Sequence, residues 1–223
     1  MNEDALLTMS DSRPSLTRYL NRRLECTRPK KSKPLSDSVR YAFLGPEGTF
    51  THEALLTLPE AASRVLLPAQ TVSAALKWVS RNEVYAAMVP LHNSIAGPVA
   101  ETVDYLHSDP WLKISRIVRV RIVFSLLTRS NCAVREIRTI AGHPHSLPQT
   151  RDWMATHLPH VKWCPVASNA DAARRVAAGE FDAALGGECT ARRWDLHTLV
   201  REISNREPAV TTFTLVTAPH WSA

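Results

Sequence analysis

Five short clusters hold the side chains most able to do chemistry. They are Gly45-Pro-Glu-Gly-Thr49, the Leu91–Pro98 run around His92-Asn93-Ser94, the Gly142–Gln149 run around His143-Pro-His145, Ser168-Asn169, and Thr211-Thr212-Phe213. They offer hydroxyls, carboxamides and imidazoles, which donate hydrogen bonds, and the imidazoles titrate near neutral pH. His143-Pro-His145 is half of a metal site, but no third ligand has suitable spacing, so no metal is expected. Cys26, Cys132, Cys164 and Cys189 contain no C-x-x-C pair. Reduced, buried thiols fit that spacing better than a disulfide framework or a zinc knuckle. Taken singly, the clusters also have plain structural readings. Gly-Pro-Glu-Gly is a tight turn, and Ser168 with Asp171 three residues on is an ordinary helix N-cap.

The elements that must position these clusters alternate in type. Strands are expected at Arg40–Leu44, Val65–Leu67 and Tyr85–Val89, the last stopped by Pro90. Helices are expected at about Phe50–Leu58, Val72–Ser80 and Glu101–Leu106. Ile114–Leu127 reads as one long strand or two consecutive ones. The alternation then repeats: strand Thr139–Ala141, helix Leu147–Leu158, strand Val161–Cys164, a helix from Ser168 to Gly179, and strands Phe181–Leu185 and Val210–Val216. Alternating β and α elements predict a mostly parallel sheet with helices on both faces. Two such units joined by a long central run predict two lobes with a cleft between them. The clusters fall after strands, where open α/β sheets bind ligands. The expected division is residues 39–118 with 189–223 in lobe 1, and 119–188 in lobe 2.

The 223 residues are 44% apolar and 22% charged, ordinary for a globular protein with real cores. No apolar run reaches the ~20 residues needed to cross a bilayer, and the opening MNEDALLTMSDS lacks the form of a secretory signal. A cytoplasmic protein without a membrane role is the expectation. The net charge is +6, of which residues 1–38 carry +3 from eight Lys/Arg and five Asp/Glu. The run Arg28-Pro-Lys-Lys-Ser-Lys33 has no interleaved aromatics, so a disordered basic extension is expected rather than a nucleic-acid arm. The mild positive balance elsewhere suits an anionic substrate.

In these clusters the sequence resembles the prephenate dehydratase family. Gly45-Pro-Glu-Gly-Thr-Phe50 is similar to its G-P-x-G-T-[FY] segment, and Val89-Pro-Leu-His-Asn-Ser-Ile-Ala-Gly-Pro-Val99 to its V-P-x-E-N-S-x-x-G-x-V loop. Gly142-His-Pro-His-Ser-Leu-Pro-Gln149 resembles S-H-P-Q-x-[LF]-x-Q, Ser168-Asn-Ala-Asp-Ala-Ala173 resembles S-T-x-x-A-A, and Thr211-Thr-Phe213 resembles T-R-F. The resemblance spans residues 39–216 and implies an α/β, two-lobed fold like the type II periplasmic binding proteins. It implies a cofactor-free lyase acting on prephenate in phenylalanine biosynthesis, with loss of CO2 and water. Carried over, Thr211 meets the leaving hydroxyl, while Asn93, Ser94 and Gln149 contact carboxylates or hold the ring. Thr49 and Ser168 stand at helix starts, where N–H groups favour anions, and Phe213 walls the pocket. No regulatory ACT domain is expected after residue 216. The sequence leaves the oligomeric state open, a homodimer included.

Four positions depart from the pattern. His92 replaces Glu, Gly142 replaces Ser, His145 replaces Gln, and Thr212 replaces the Arg of T-R-F. If that arginine clamps a carboxylate, threonine cannot imitate it, and His92 or His145 is then expected to supply the missing cation. His92 is therefore grouped with Thr211 and Asn93 as catalytic, and Thr212 with the substrate-binding set. Besides dehydration, two other readings follow from these departures: a non-aromatising prephenate decarboxylase of a specialised antibiotic pathway, and an inactive acid-binding relative.

Overall fold

The computed structural model describes residues 39–205 and 208–219. The expected basic extension, residues 1–38, lies outside the described residues. The first sheet is built from β1 (Arg40–Leu44), β2 (Val65–Ala69), β3 (Ala86–Asn93), the short β4 (Gly97–Pro98), β5 (Lys113–Ile122) and β11 (Ala209–Thr217), in the order β2-β1-β3-β11-β5 with β4 on β3. The second holds β6 (Ser125–Thr128), β7 (Thr139–Gly142), β8 (Lys162–Pro165), β9 (Ala183–Gly186) and β10 (His197–Val200), in the order β10-β6-β9-β7-β8. Each sheet with its helices forms one lobe of a two-lobed α/β fold.

The helices are α1 (Phe50–Leu56), α2 (Val72–Ser80), α3 (Ala100–Ser108), α4 (Leu147–His157), α5 (Asn169–Ala177) and α6 (Glu188–Arg193). Side chains fix where several of them start. Thr49, Thr71 and Ser168 accept hydrogen bonds from the N–H groups of His52, Ala74 and Asp171, at 3.3, 3.0 and 2.9 Å. These caps satisfy donors that the first helical turn leaves unpaired.

The sheets are more mixed than the alternation predicts. β2-β1-β3 is parallel, but β11 runs antiparallel to both β3 and β5, and β6 is antiparallel to β9 and β10. The physical reason is the path of the chain. The central run breaks at Val123-Phe124, so β5 ends in one sheet and β6 opens the other. The chain returns only at β11, entering between two strands already laid down. The return expected at residue 189 therefore comes later, because β10 pairs with β6 in the second sheet. Helix α6 and strand β10 were not foreseen at all.

One apolar cluster runs through both lobes, joining Phe43, Leu55 and Phe213 of the first to Leu126, Ile140 and Leu185 of the second. Phe50 meets Phe124 edge to face, at 5.7 Å between centroids. Two further clusters cover the outer faces, Leu76 and Leu106 against the first sheet and Ala173 and Val176 against the second.

In the second lobe, Asp182 ties the entrances of β7 and β9 together. One carboxylate oxygen accepts from the Arg138 and Thr139 N–H groups, at 2.9 and 2.8 Å, and from the Thr139 hydroxyl at 2.9 Å. Partial burial works to raise its pKa, but these donors and Arg129 outweigh it and hold the carboxyl below its ordinary value. A depressed acid pKa stabilises the fold above the unfolded-state pKa, and that contribution fades as pH falls through the folded value. Asp182→Asn should accordingly lower Tm by about 2–4 °C at pH 7. The difference from wild type should shrink as pH falls below the ordinary carboxylate range, as thermal melts across pH will show.

Candidate active site

The cleft between the lobes has a volume of about 420 Å³. The first lobe lines it with Gly45, Thr49, Pro90, Asn93, Thr211 and Phe213, and the second with His143, Ser168, Asn169 and Thr190. Thr49, Asn93, Ser168, Thr211 and Phe213 were expected at one site, and they meet here. His92, Ser94, Gln149 and Thr212 do not line this cleft.

The β3–β11 ladder explains the division. β11 keeps continuous register with β5 from Ala209 to Leu215, so its side chains alternate strictly there. Thr211 and Phe213 face the cleft, and Thr212 faces the other way. On the β3 side the register shifts: Thr211 pairs with Asn93 and Thr212 with His92, but Phe213 pairs with Pro90. Leu91 is the extra residue of a bulge and packs into the outer cluster, fully buried. Pro90 has no N–H to give to a ladder, and a bulge is where a strand tolerates that. The strand expected to stop at Pro90 thus continues to Asn93, and Asn93 and Pro90 both reach the cleft.

Asn93 is held at both ends. Its Oδ1 accepts from the N–H groups of Ile95 and Ala96, at 3.0 and 2.9 Å. That fixes the carboxamide orientation and leaves Nδ2 to donate to Thr211 Oγ1 at 2.8 Å. Thr211 is only 7% exposed. Since its oxygen is accepting, its proton must point elsewhere, and no acceptor takes it among the described residues.

Ser94 serves the backbone of β11, accepting from Val210 N–H at 2.9 Å while its own N–H donates to Val210 O. Gln149 donates to His145 O at 3.1 Å and lines a separate cavity of about 360 Å³ with Ile95, Arg151 and Asn205. His92 and Thr212 are cross-strand neighbours on the face away from the cleft, with Arg119 next in line on β5. His92 is therefore not placed to replace a cation in the cleft, and position 212 is not placed to clamp a ligand there. His145, the other expected stand-in, is exposed and does not line the cleft either.

Thr190 lies outside every cluster picked out in the sequence, whereas Asn169 and His143 lie within such clusters but are assigned no site role there. Thr190, on the unforeseen α6, donates to the Gly48 carbonyl across the cleft, and Arg193 of the same helix pairs with Glu47. Asn169 accepts from His143 N–H at 2.7 Å, fixing the loop after β7. His143, in the run similar to S-H-P-Q-x-[LF]-x-Q, itself lines the cleft. Among the described residues no group of three His, Cys, Asp or Glu is arranged to hold a metal ion. Burial holds the His143 pKa below the ordinary histidine value, with a further lowering from His145.

A family model for prephenate dehydratase matches residues 41–220. The chain belongs to the prephenate dehydratase family. It is 40% identical over 181 residues to the prephenate dehydratase of Amycolatopsis methanolica, covering 81% of this chain and 58% of that protein. It is 37% identical over 189 residues to that of Mycobacterium marinum, covering 81% and 60%. The chain thus spans about 60% of the length of the curated relatives it matches. Among solved structures, the prephenate dehydratase of Arthrobacter aurescens in complex with L-Phe superposes with a TM-score of 0.75 at 36% identity, covering 81% of this chain and 61% of that one. No helix among the described residues is long and apolar enough to cross a membrane.

Where the family pattern has Glu and Arg, the register makes those positions a cross-strand pair on the back of the sheet, and here both have changed. Thr212→Arg should leave substrate KM within about 2-fold of wild type. It should also lower stability, because the new guanidinium would lie beside Arg119. His92→Glu with Thr212→Arg should show a favourable coupling of about 0.2–1 kcal/mol in a double-mutant cycle from urea melts.

Proposed function

We propose that this chain is a prephenate dehydratase, converting prephenate to phenylpyruvate with loss of CO2 and water. The observation that carries this reading is the oriented pair Asn93–Thr211 in the cleft. Cleavage of the bond to the ring carboxylate sends an electron pair into the ring. The ring becomes aromatic as the C4–O bond breaks, and the departing oxygen takes up one proton to leave as water. A hydroxyl donor aimed at that oxygen stabilises the charge as it develops. Thr211 meets this need because Asn93 occupies its oxygen and turns its O–H outward. A threonine hydroxyl is a poor free acid, so it stabilises or relays the proton rather than supplying it alone. Phe213 provides an apolar wall against the ring, and the chemistry needs no cofactor. Retention of the Thr211–Asn93 pair favours dehydration over decarboxylation that keeps the hydroxyl.

Two variants test the orientation. Thr211→Val preserves shape but removes the donor, so kcat should fall by ~10²-fold with KM little changed. Asn93→Asp keeps an oxygen for Ile95 and Ala96 but offers Thr211 an acceptor instead of a donor. The Thr211 proton should then turn away from the substrate, and kcat should fall by a similar factor. Phenylpyruvate formation, followed by its enol absorbance in alkali and by mass, measures both. Near-normal turnover by Thr211→Val would remove Thr211 from the mechanism.

A further inference from the structure

Resting on the dehydratase reading, we propose that His143 recognises a substrate carboxylate as a neutral imidazole, held in its Nε2–H form and donating from Nε2. The first ground is the composition of the cleft. Among its described lining residues His143 is the one ionisable side chain, and there is no lysine or arginine. A dianionic acid bound there meets hydroxyls, carboxamides, backbone N–H groups and this ring.

The second ground is the geometry of the ring. His143 Nδ1 accepts from the His145 N–H at 3.3 Å, so in the neutral ring the proton resides on Nε2. Nε2 has no protein partner among the described residues. The backbone of His143 is held on both sides. Its N–H donates to Asn169 Oδ1 at 2.7 Å, and its carbonyl accepts from the Ser146 hydroxyl at 2.6 Å and the Ser146 N–H at 2.9 Å. The His145 ring packs edge to face against it, at 4.8 Å between centroids. The ring is thus a fixed donor at the end of β7, facing the Thr211 side across the cleft.

Burial and the neighbouring His145 both disfavour the imidazolium in the free protein. Protonation would also break the Nδ1 hydrogen bond. The ionisable group beside the ring is His145, and the first-lobe residues opposite, Thr49, Asn93 and Thr211, carry no charge. A bound carboxylate is therefore the first negative charge the ring meets, and binding should raise its pKa.

Long-range ¹H–¹⁵N spectra of the histidine rings, assigned with a His143→Gln control, test this in the full chain. The free protein should show the Nε2–H tautomer for His143, titrating below pH 6.5. His145→Ala should keep that tautomer, because the bond comes from the backbone, and should raise the midpoint. Phenylpyruvate should move the Nε2 resonance and raise the midpoint further. In kinetics, His143→Leu should raise KM for prephenate about 10- to 100-fold with a smaller effect on kcat. His143→Gln, which restores an N–H near the Nε2 position, should recover most of that loss. An Nδ1–H tautomer, a midpoint unmoved by bound phenylpyruvate, or no binding of either acid would overturn the assignment. Binding of phenylpyruvate without turnover of prephenate would sink the dehydratase reading and leave the His143 assignment standing.

Discussion

The side-chain amide of Asn93 is the constraint on which the cleft depends. Its oxygen is committed to two backbone donors of its own loop, and its nitrogen to Thr211 on the neighbouring strand. A carboxamide pinned at both ends cannot flip, so it dictates which way the threonine hydroxyl points. The bulge at Pro90–Leu91 then decides which side chains of β3 accompany Asn93 into the cleft. A hydrogen bond of this type contributes roughly 1 kcal/mol to stability. Its larger effect is directional, because it keeps the Thr211 proton from pointing at Asn93.

The lobes are held together by more than the two chain crossings. Thr190 and Arg193 of α6 reach across to Gly48 and Glu47, while the apolar cluster continues beneath them from one sheet to the other. The exposed ion pair adds little by itself. The Thr190 bond is buried, and it anchors the turn from which Thr49 enters the cleft. The described lining of the cleft thus draws neutral dipoles from both lobes and includes no lysine or arginine. Neutral donors can hold an acid without first being stripped of an ion's hydration.

Much of this was legible in the sequence. Thr49 and Ser168 announced helix starts through cap chemistry, and the structure uses both as caps. The Gly-Pro-Glu-Gly turn and the strands flanking the first crossing follow from apolar runs closed by turn residues. Strand parity at residue 92 was not legible. Adjacent motif residues such as His92 and Asn93, or Thr211 and Thr212, look equivalent along the chain, yet a pleat sends them to opposite faces. Which face wins depends on a one-residue bulge set by pairing partners more than a hundred positions away. Helix α6 and strand β10 escaped for a different reason. Both are short, with the weak periodicity of elements whose stability comes from packing.

The position of β11 constrains how the protein can be made. It lies between β3 and β5, so the first sheet has an open slot until residues 209–217 have left the ribosome. Before that moment β3 and β5 each present an unpaired edge, the kind of surface that invites association with other chains. The inserted second lobe has its strands available earlier and can form while the slot waits. The strand that closes the slot also carries Thr211, so the first sheet and this wall of the cleft are completed together.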